Sequence, residues 1–456
     1  MKPITIPNIS IPTIGIPTVG IPSVGFPSAS GGGGLSWPAG MKEHIKAIYD
    51  PKKQGITNFD VIESYTEDFT TWRYSDSRGT AAVTPNKITI TESFDTTNIV
   101  EDVEEPYSDI SIYVTGVSED VPLVVRDITG NKAIITKDGK YDFSKNSRFM
   151  GFAINKILSN INVVISLLPT SILKDLSGNG NHAYLYGGKG KLNSGMGVYQ
   201  IDFTSYSKTS VVADVSHNTV KVVPAANNYL FVRYATTEMP AYTVNVQNLG
   251  NNVLTYQYAT ENGRQEITLT EGINEIPESI KAENPYQVGF YVSAGTGEIT
   301  ITQIPDYPNQ LCYDGKMYAV CYGFPILTDY AVMADRTWFD IRSVSCFIGK
   351  RNRSGDNLGA FEFEFRANQA LSFGRTNSII FADSGIVYQT KNSYNGIGIE
   401  SGLLDDTDVL IIGAAQQNIN NKPQDIYIGC HGKIIIADRS FTEDEITWLK
   451  DNWKKI

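Results

Sequence analysis

Glu362 and Glu364, in Phe361-Glu-Phe-Glu-Phe365, are the residues best spaced for acid–base chemistry. In an extended strand they fall on one face, while Phe361, Phe363 and Phe365 fall on the other. Two neighbouring carboxylates are what retaining glycoside hydrolysis needs, one as nucleophile and one as acid and base. The plainer reading of the same alternation is a half-buried strand with a charged solvent face. That reading is preferred, so no catalytic residue is assigned.

Other chemistry-bearing residues are scattered. Asp175 and the run Asp405-Asp-Thr-Asp408 offer the oxygen ligands that calcium takes. A solvated acidic turn explains the run equally well, so no metal site and no cofactor is assigned, calcium being the one ion considered. His44, His182, His217 and His431 sit in no triad or HExxH context, and His182 reads as a strand residue beside a turn. Cys312, Cys321, Cys346 and Cys430 make no CxxC pair and no Cys/His ligand spacing. Two disulfides are possible on paper, but four buried thiols in a reducing cytosol are expected. Sugars stack on aromatic rings, and the chain has 25 tyrosines and 5 tryptophans. Tyr184, Tyr186, Tyr388 and Tyr394 lie near predicted loops or strand ends and are the glycan-contact candidates. The alternative for each is ordinary packing in a sandwich.

These residues need a scaffold, and the pattern says which kind. Of the 456 residues, 41% are hydrophobic and 19% charged, which places the chain among globular proteins of about three domains. A net charge of -11 argues against nucleic acid and anionic membrane surfaces as partners and suits solubility outside a cell. Period-two stretches at 86–91, 241–246, 298–304 and 361–365 read as strands, punctuated by Asn-Gly and Asp-Gly turns. An all-β protein built of sandwiches is expected. One helix is expected over 439–456. There Thr442 and Glu445 form a capping box, and Ile446, Leu449 and Trp453 share a face. A second short helix is expected near 41–48, ending before Asp50-Pro51. The stretches 135–169 and 269–305 look like weak copies, each with a Gly-Phe pair (Gly151-Phe152, Gly289-Phe290), an alternating strand and a closing proline. They read as the last strands of two similar modules.

The most specific stretch is Leu-Lys-Asp-Leu-Ser-Gly-Asn-Gly-Asn-His-Ala-Tyr-Leu-Tyr-Gly-Gly, 173–188. Asp175, Ser177 and Asn179 are turn formers, and Gly178 and Gly180 can take positive φ. This resembles the signature of the laminin-G-like, concanavalin-type jelly roll. The stretches 312–326, 333–338 and 427–446 resemble its later strands, and 44–58 resembles its opening strand and loop. Related jelly-roll glycosidases carry a further acidic residue after a Glu pair. Here Arg366, Ala367 and Asn368 follow instead. The resemblance implies a discontinuous jelly roll with two inserted β-sandwich modules. The expected division is an anchor and linker at 1–34, jelly roll at 35–60, 169–207 and 310–456, and inserts at 61–168 and 208–309.

Residues 6–30 are five pentapeptides with proline always second, followed by Gly31 to Gly34. Proline every five residues excludes a helix and disfavours a central strand. It also interrupts any signal-peptide core after Lys2, so none is expected. An extended thread results, with Ile6, Ile11, Ile14, Ile16, Val19, Ile21 and Phe26 as its apolar contacts. Such a thread needs a partner or copies of itself, and the glycines make a swivel. The whole resembles fibre and decoration proteins of bacteriophage virions of gut bacteria. That resemblance implies a virion location after assembly in the host bacterial cytoplasm. It also implies attachment to other virion proteins through 6–30, a homotrimer and surface glycans as targets. A purely structural decoration protein and a glycoside hydrolase are the competing readings.

Overall fold

A computed structural model describes residues 35–56, 61–102, 109–126, 132–143, 151–190, 195–196, 200–209, 212–223, 229–234, 237–281, 287–292, 297–339, 345–352, 358–365, 371–373, 377–379, 385–391, 393–394, 397–398, 408–414, 423 and 427–456. The thread contacts Ile6, Ile11, Ile14, Ile16, Val19, Ile21 and Phe26 lie outside them. The fold is all-β, with one short C-terminal helix, Glu443–Asn452.

Two eight-stranded antiparallel sheets face each other across one core. Their strands come from residues 45–49, 172–196 and 311–437. The keel of the first sheet is Ile428–Ala437. On one side its first half pairs with Leu311–Asp314 and its second half with Ile45–Tyr49, while Ala331–Trp338 runs along the other. From Ile434 to Ala437 the keel is apolar on both faces because both are covered. Ile434 and Ile436 enter the sandwich core, and Ile435 and Ala437 pack under the C-terminal helix.

That helix begins as its residues dictate. Thr442 accepts from the Glu445 amide at 3.2 Å, and the Glu445 carboxylate accepts from the Thr442 amide at 2.9 Å. Arg439 grips Glu445 through two bonds of 2.8 and 2.6 Å. Ile446, Leu449 and Trp453 are all buried. The helix expected near 41–48 is instead a single 3-10 turn, Lys42–His44, running into strand Ile45–Tyr49. There Ile45, Ala47 and Tyr49 are buried alternately, and pairing with the keel outweighs local propensity. Asp50 stays extended before Pro51, which opens the one-turn helix Pro51–Gln54.

Two further units, each of two five-stranded sheets, have separate cores. The first spans Phe69 to Leu167, the second Ile201 to Ile301. Ile201, Phe203 and Tyr206 thus belong to the second core, ahead of the expected border at 208. Counting strands along the chain, both units have one sheet in the order first, fourth, ninth, sixth, seventh. Both have the other in the order second, third, tenth, fifth, eighth. Gly151–Ile154 and Gln287–Val292, which hold the two Gly-Phe pairs, are both ninth strands. The units are two copies of one topology.

Candidate functional site

The signature turn is a clasp. The Asp175 carboxylate is buried and accepts four hydrogen bonds. One oxygen takes the amides of Ile48 (3.0 Å) and Ser177 (2.8 Å); the other takes the Ser177 hydroxyl (2.8 Å) and the Asn181 amide (3.1 Å). The side-chain amides of Asn179 and Asn181 reach across to the carbonyls of Ile45 and Lys46, both at 2.8 Å. Gly178 and Gly180 take φ of 95° and 78°, which makes room for this turn. The four acceptor positions of Asp175 are committed to protein donors, so its role is to tie the turn to the opening strand. His182 joins it, accepting from the Asp175 amide at 3.0 Å. Asp408 is exposed, and Asp405 lies outside the described residues. Among the described residues no three His, Cys, Asp or Glu side chains gather as metal ligands.

Tyr184 and Tyr186 belong to a tyrosine cluster on the outer face of the second sheet. The Tyr186 ring stacks on Tyr318 at 5.2 Å and its hydroxyl lies 3.0 Å from that of Tyr322. Tyr322 in turn stacks on Tyr113 of the first inserted unit at 4.2 Å. Lys140 of the same unit stands 5.6 Å over the Tyr184 ring. These rings are spent on the contact between jelly roll and insert. Burial drives the Tyr186 and Tyr322 hydroxyls well above the usual phenol range. The root of the insert is close-packed beside them: a Cβ on Gly188 would meet Val61 at 2.7 Å, and the Gly187 amide donates to Glu63 at 2.7 Å. Tyr388 packs by the C-terminal helix with Lys450 5.0 Å from its ring centre. Tyr394 pairs in strand Ser393–Tyr394, and its side chain is outside the described residues.

The histidines serve local contacts. His44 meets Asp438 at 2.7 Å and His217 meets Asp202 at 3.1 Å. His431 is buried against the Tyr313 hydroxyl at 3.0 Å. Glu362 and Glu364 lie in strand Leu358–Phe365 opposite Gly349 and Cys346, and their side chains are outside the described residues.

One cleft has the makings of a binding site. Its volume is about 280 Å³, and it opens where the opening strand, the signature turn and the chain's end converge. Trp37, Ile48 and Leu176 are among its apolar lining residues and Lys42, Lys53 and Lys455 are its basic ones, the Lys53 amine donating to the Lys455 carbonyl at 3.4 Å. Leu176, the apolar residue of the signature, is 37% exposed here because its neighbours Asp175 and Ser177 are pinned by the clasp. Trp37 is held by Trp448, ring centres 5.0 Å apart. The cleft has no local signal in the sequence, since its lining comes from positions more than 400 residues apart, such as Trp37 and Lys455.

No family model matches the chain, and no curated protein matches it. Among solved structures it is similar to Trypanosoma rangeli sialidase in complex with sialic acid, with 11% identity over 84% of each chain and a TM-score of 0.25. It is also similar to the N-terminal CBM22-1-CBM22-2 tandem domain of Paenibacillus barcinonensis Xyn10C, with 10% identity over 53% of this chain and 98% of that one and a TM-score of 0.18. At these scores the likeness carries no argument for function.

Proposed function

We propose that the chain is a non-enzymatic virion fibre or decoration protein that adheres to surface glycans. It carries two copies of a β-sandwich module on a jelly-roll scaffold and attaches through its N-terminal repeat. The virion part rests on the pentapeptide repeat and on the resemblance of the signature and its flanking strands. The adhesive part rests on the cleft. A tryptophan beside three lysines, on a chain of net charge -11, suits a saccharide that offers both an apolar ring face and acidic groups. Weak single sites become effective when a multimer displays several of them. The test is retention of the full-length protein on immobilised neutral and uronate-bearing oligosaccharides. Retention on the acidic members, weakening with salt, supports the reading. Retention on none removes the adhesive function and leaves a purely structural virion component.

A further inference from the structure

Two of the four buried cysteines face each other. Strand Leu311–Asp314 runs antiparallel to Ile428–Ala437, and the register sets Cys312 directly opposite Cys430. Residues so paired have Cα atoms about 4.5 or 5.5 Å apart, depending on their place in the ladder, and side chains on the same face. Both spacings fall within the roughly 4.4–6.8 Å window of a disulfide. The two thiols form a small cluster of their own, with Tyr307 packed against it. Both also use Gln310: the Cys430 thiol donates to its side-chain carbonyl at 2.6 Å, and the Cys312 thiol approaches its backbone carbonyl at 4.0 Å. The other two cysteines have no such partner in register. Cys321 lies opposite Leu410, and Cys346 lies opposite Glu364. All four are free thiols in this structure.

We propose that Cys312 and Cys430 are a covalent cross-link site, closed by a low-molecular-weight disulfide when the protein leaves a reducing compartment. One cysteine thiolate attacks a sulfur of the small disulfide. A mixed disulfide forms, the reagent's S–S bond breaks and one small thiol departs. The second thiolate then attacks the protein sulfur of the mixed disulfide, forming the Cys312–Cys430 bond and expelling the second small thiol. The protein loses two electrons and two protons, and the reagent is reduced by the same count. The bond joins the strand that returns from the second inserted unit to the keel of the first sheet. It encloses a loop of more than a hundred residues, the kind of closure that constrains an unfolded chain most.

The experiment uses the full-length chain, reduced and then held overnight with oxidised glutathione at pH 8. Thiols are counted in denaturant and peptides mapped without reduction. The expected result is a fall from four thiols to two, one linked peptide pair containing Cys312 and Cys430, and a raised thermal midpoint that dithiothreitol reverses. Under the same treatment Cys312→Ser forms no intramolecular link. Four thiols remaining in the wild type, or a link involving Cys321 or Cys346, overturns the proposal.

Discussion

The ring of Phe69 meets that of Phe152 edge-on, centres 6.0 Å apart and planes at 89°. The second unit repeats this with Phe203 and Phe290, at 6.0 Å and 83°. The repeat extends outward. Asp68 accepts the Thr70 amide at 2.9 Å, Asp202 accepts the Thr204 amide at 2.9 Å, and each aspartate caps a 3-10 turn that drives the following Phe into the core. Trp72 and Tyr206 then pack edge-on against those Phe rings. The shared motif is Asp-Phe-Thr, then Thr or Ser, then an aromatic.

Phe203→Ala should destabilise the second unit by about 3–5 kcal/mol, the usual cost of deleting a buried aromatic ring. Because the three cores are separate, the loss should appear in one calorimetric transition and leave the others in place. A uniform shift of all transitions would show that the cores unfold together.

Asp175→Ala should cost the jelly roll about 2–4 kcal/mol, since it strands the Ile48, Ser177 and Asn181 amides that the carboxylate now satisfies. Urea unfolding followed by tryptophan fluorescence measures this. A cost within error of zero would mean that the clasp does not hold the opening strand.

His431 gives the jelly roll a dependence on acid. Burial holds its imidazole down to about 4, below the ordinary 6.5. Between these values the unfolded chain binds a proton that the folded chain does not, so stability rises with pH across this window. On acidification from pH 7 to 4 this one group should remove about 3 kcal/mol. His431→Gln should flatten that part of the curve when stability is measured at a series of pH values. An unchanged acid limb would assign the loss to other groups.

The Tyr113–Tyr322 stack fixes the first unit on the jelly roll. Tyr113→Ala should loosen it by about 0.5–1.5 kcal/mol. The readout is faster proteolytic cleavage at the root around residues 61–64, with both cores still folded. Unchanged cleavage would show that the root contacts, the Gly187 amide on Glu63 and the packing of Gly188 on Val61, suffice.

Much of this fold can be read from residue pattern. The alternation at 86–91, 241–246 and 298–304 marks strands Lys87–Ser93, Tyr242–Gln247 and Ile299–Ile304. The capping box marks the helix start at Glu443. The Gly-Phe pairs mark equivalent strands in the two units, although Asp68-Phe-Thr and Asp202-Phe-Thr are the firmer sign of repetition because capping and burial fix both side chains. The cleft and the tyrosine contact were illegible for a different reason. Tyr184 and Tyr186 have the composition of a sugar platform, and only the docking of Tyr113 and Lys140 against that face shows how their rings are used. Trp37 carries no local signal at all until Trp448 holds it at the edge of the cleft.

The central claim is adhesion through the cleft. Its most direct test is titration of a uronate-bearing oligosaccharide into the full-length protein, beside a Trp37→Ala variant and a Lys42→Ala/Lys53→Ala variant, with binding measured by calorimetry. The expected result is saturable binding that weakens as salt rises, falls at least tenfold in each variant and releases no reducing ends. Equal binding by the wild type and both variants, or binding by none of them, would contradict it.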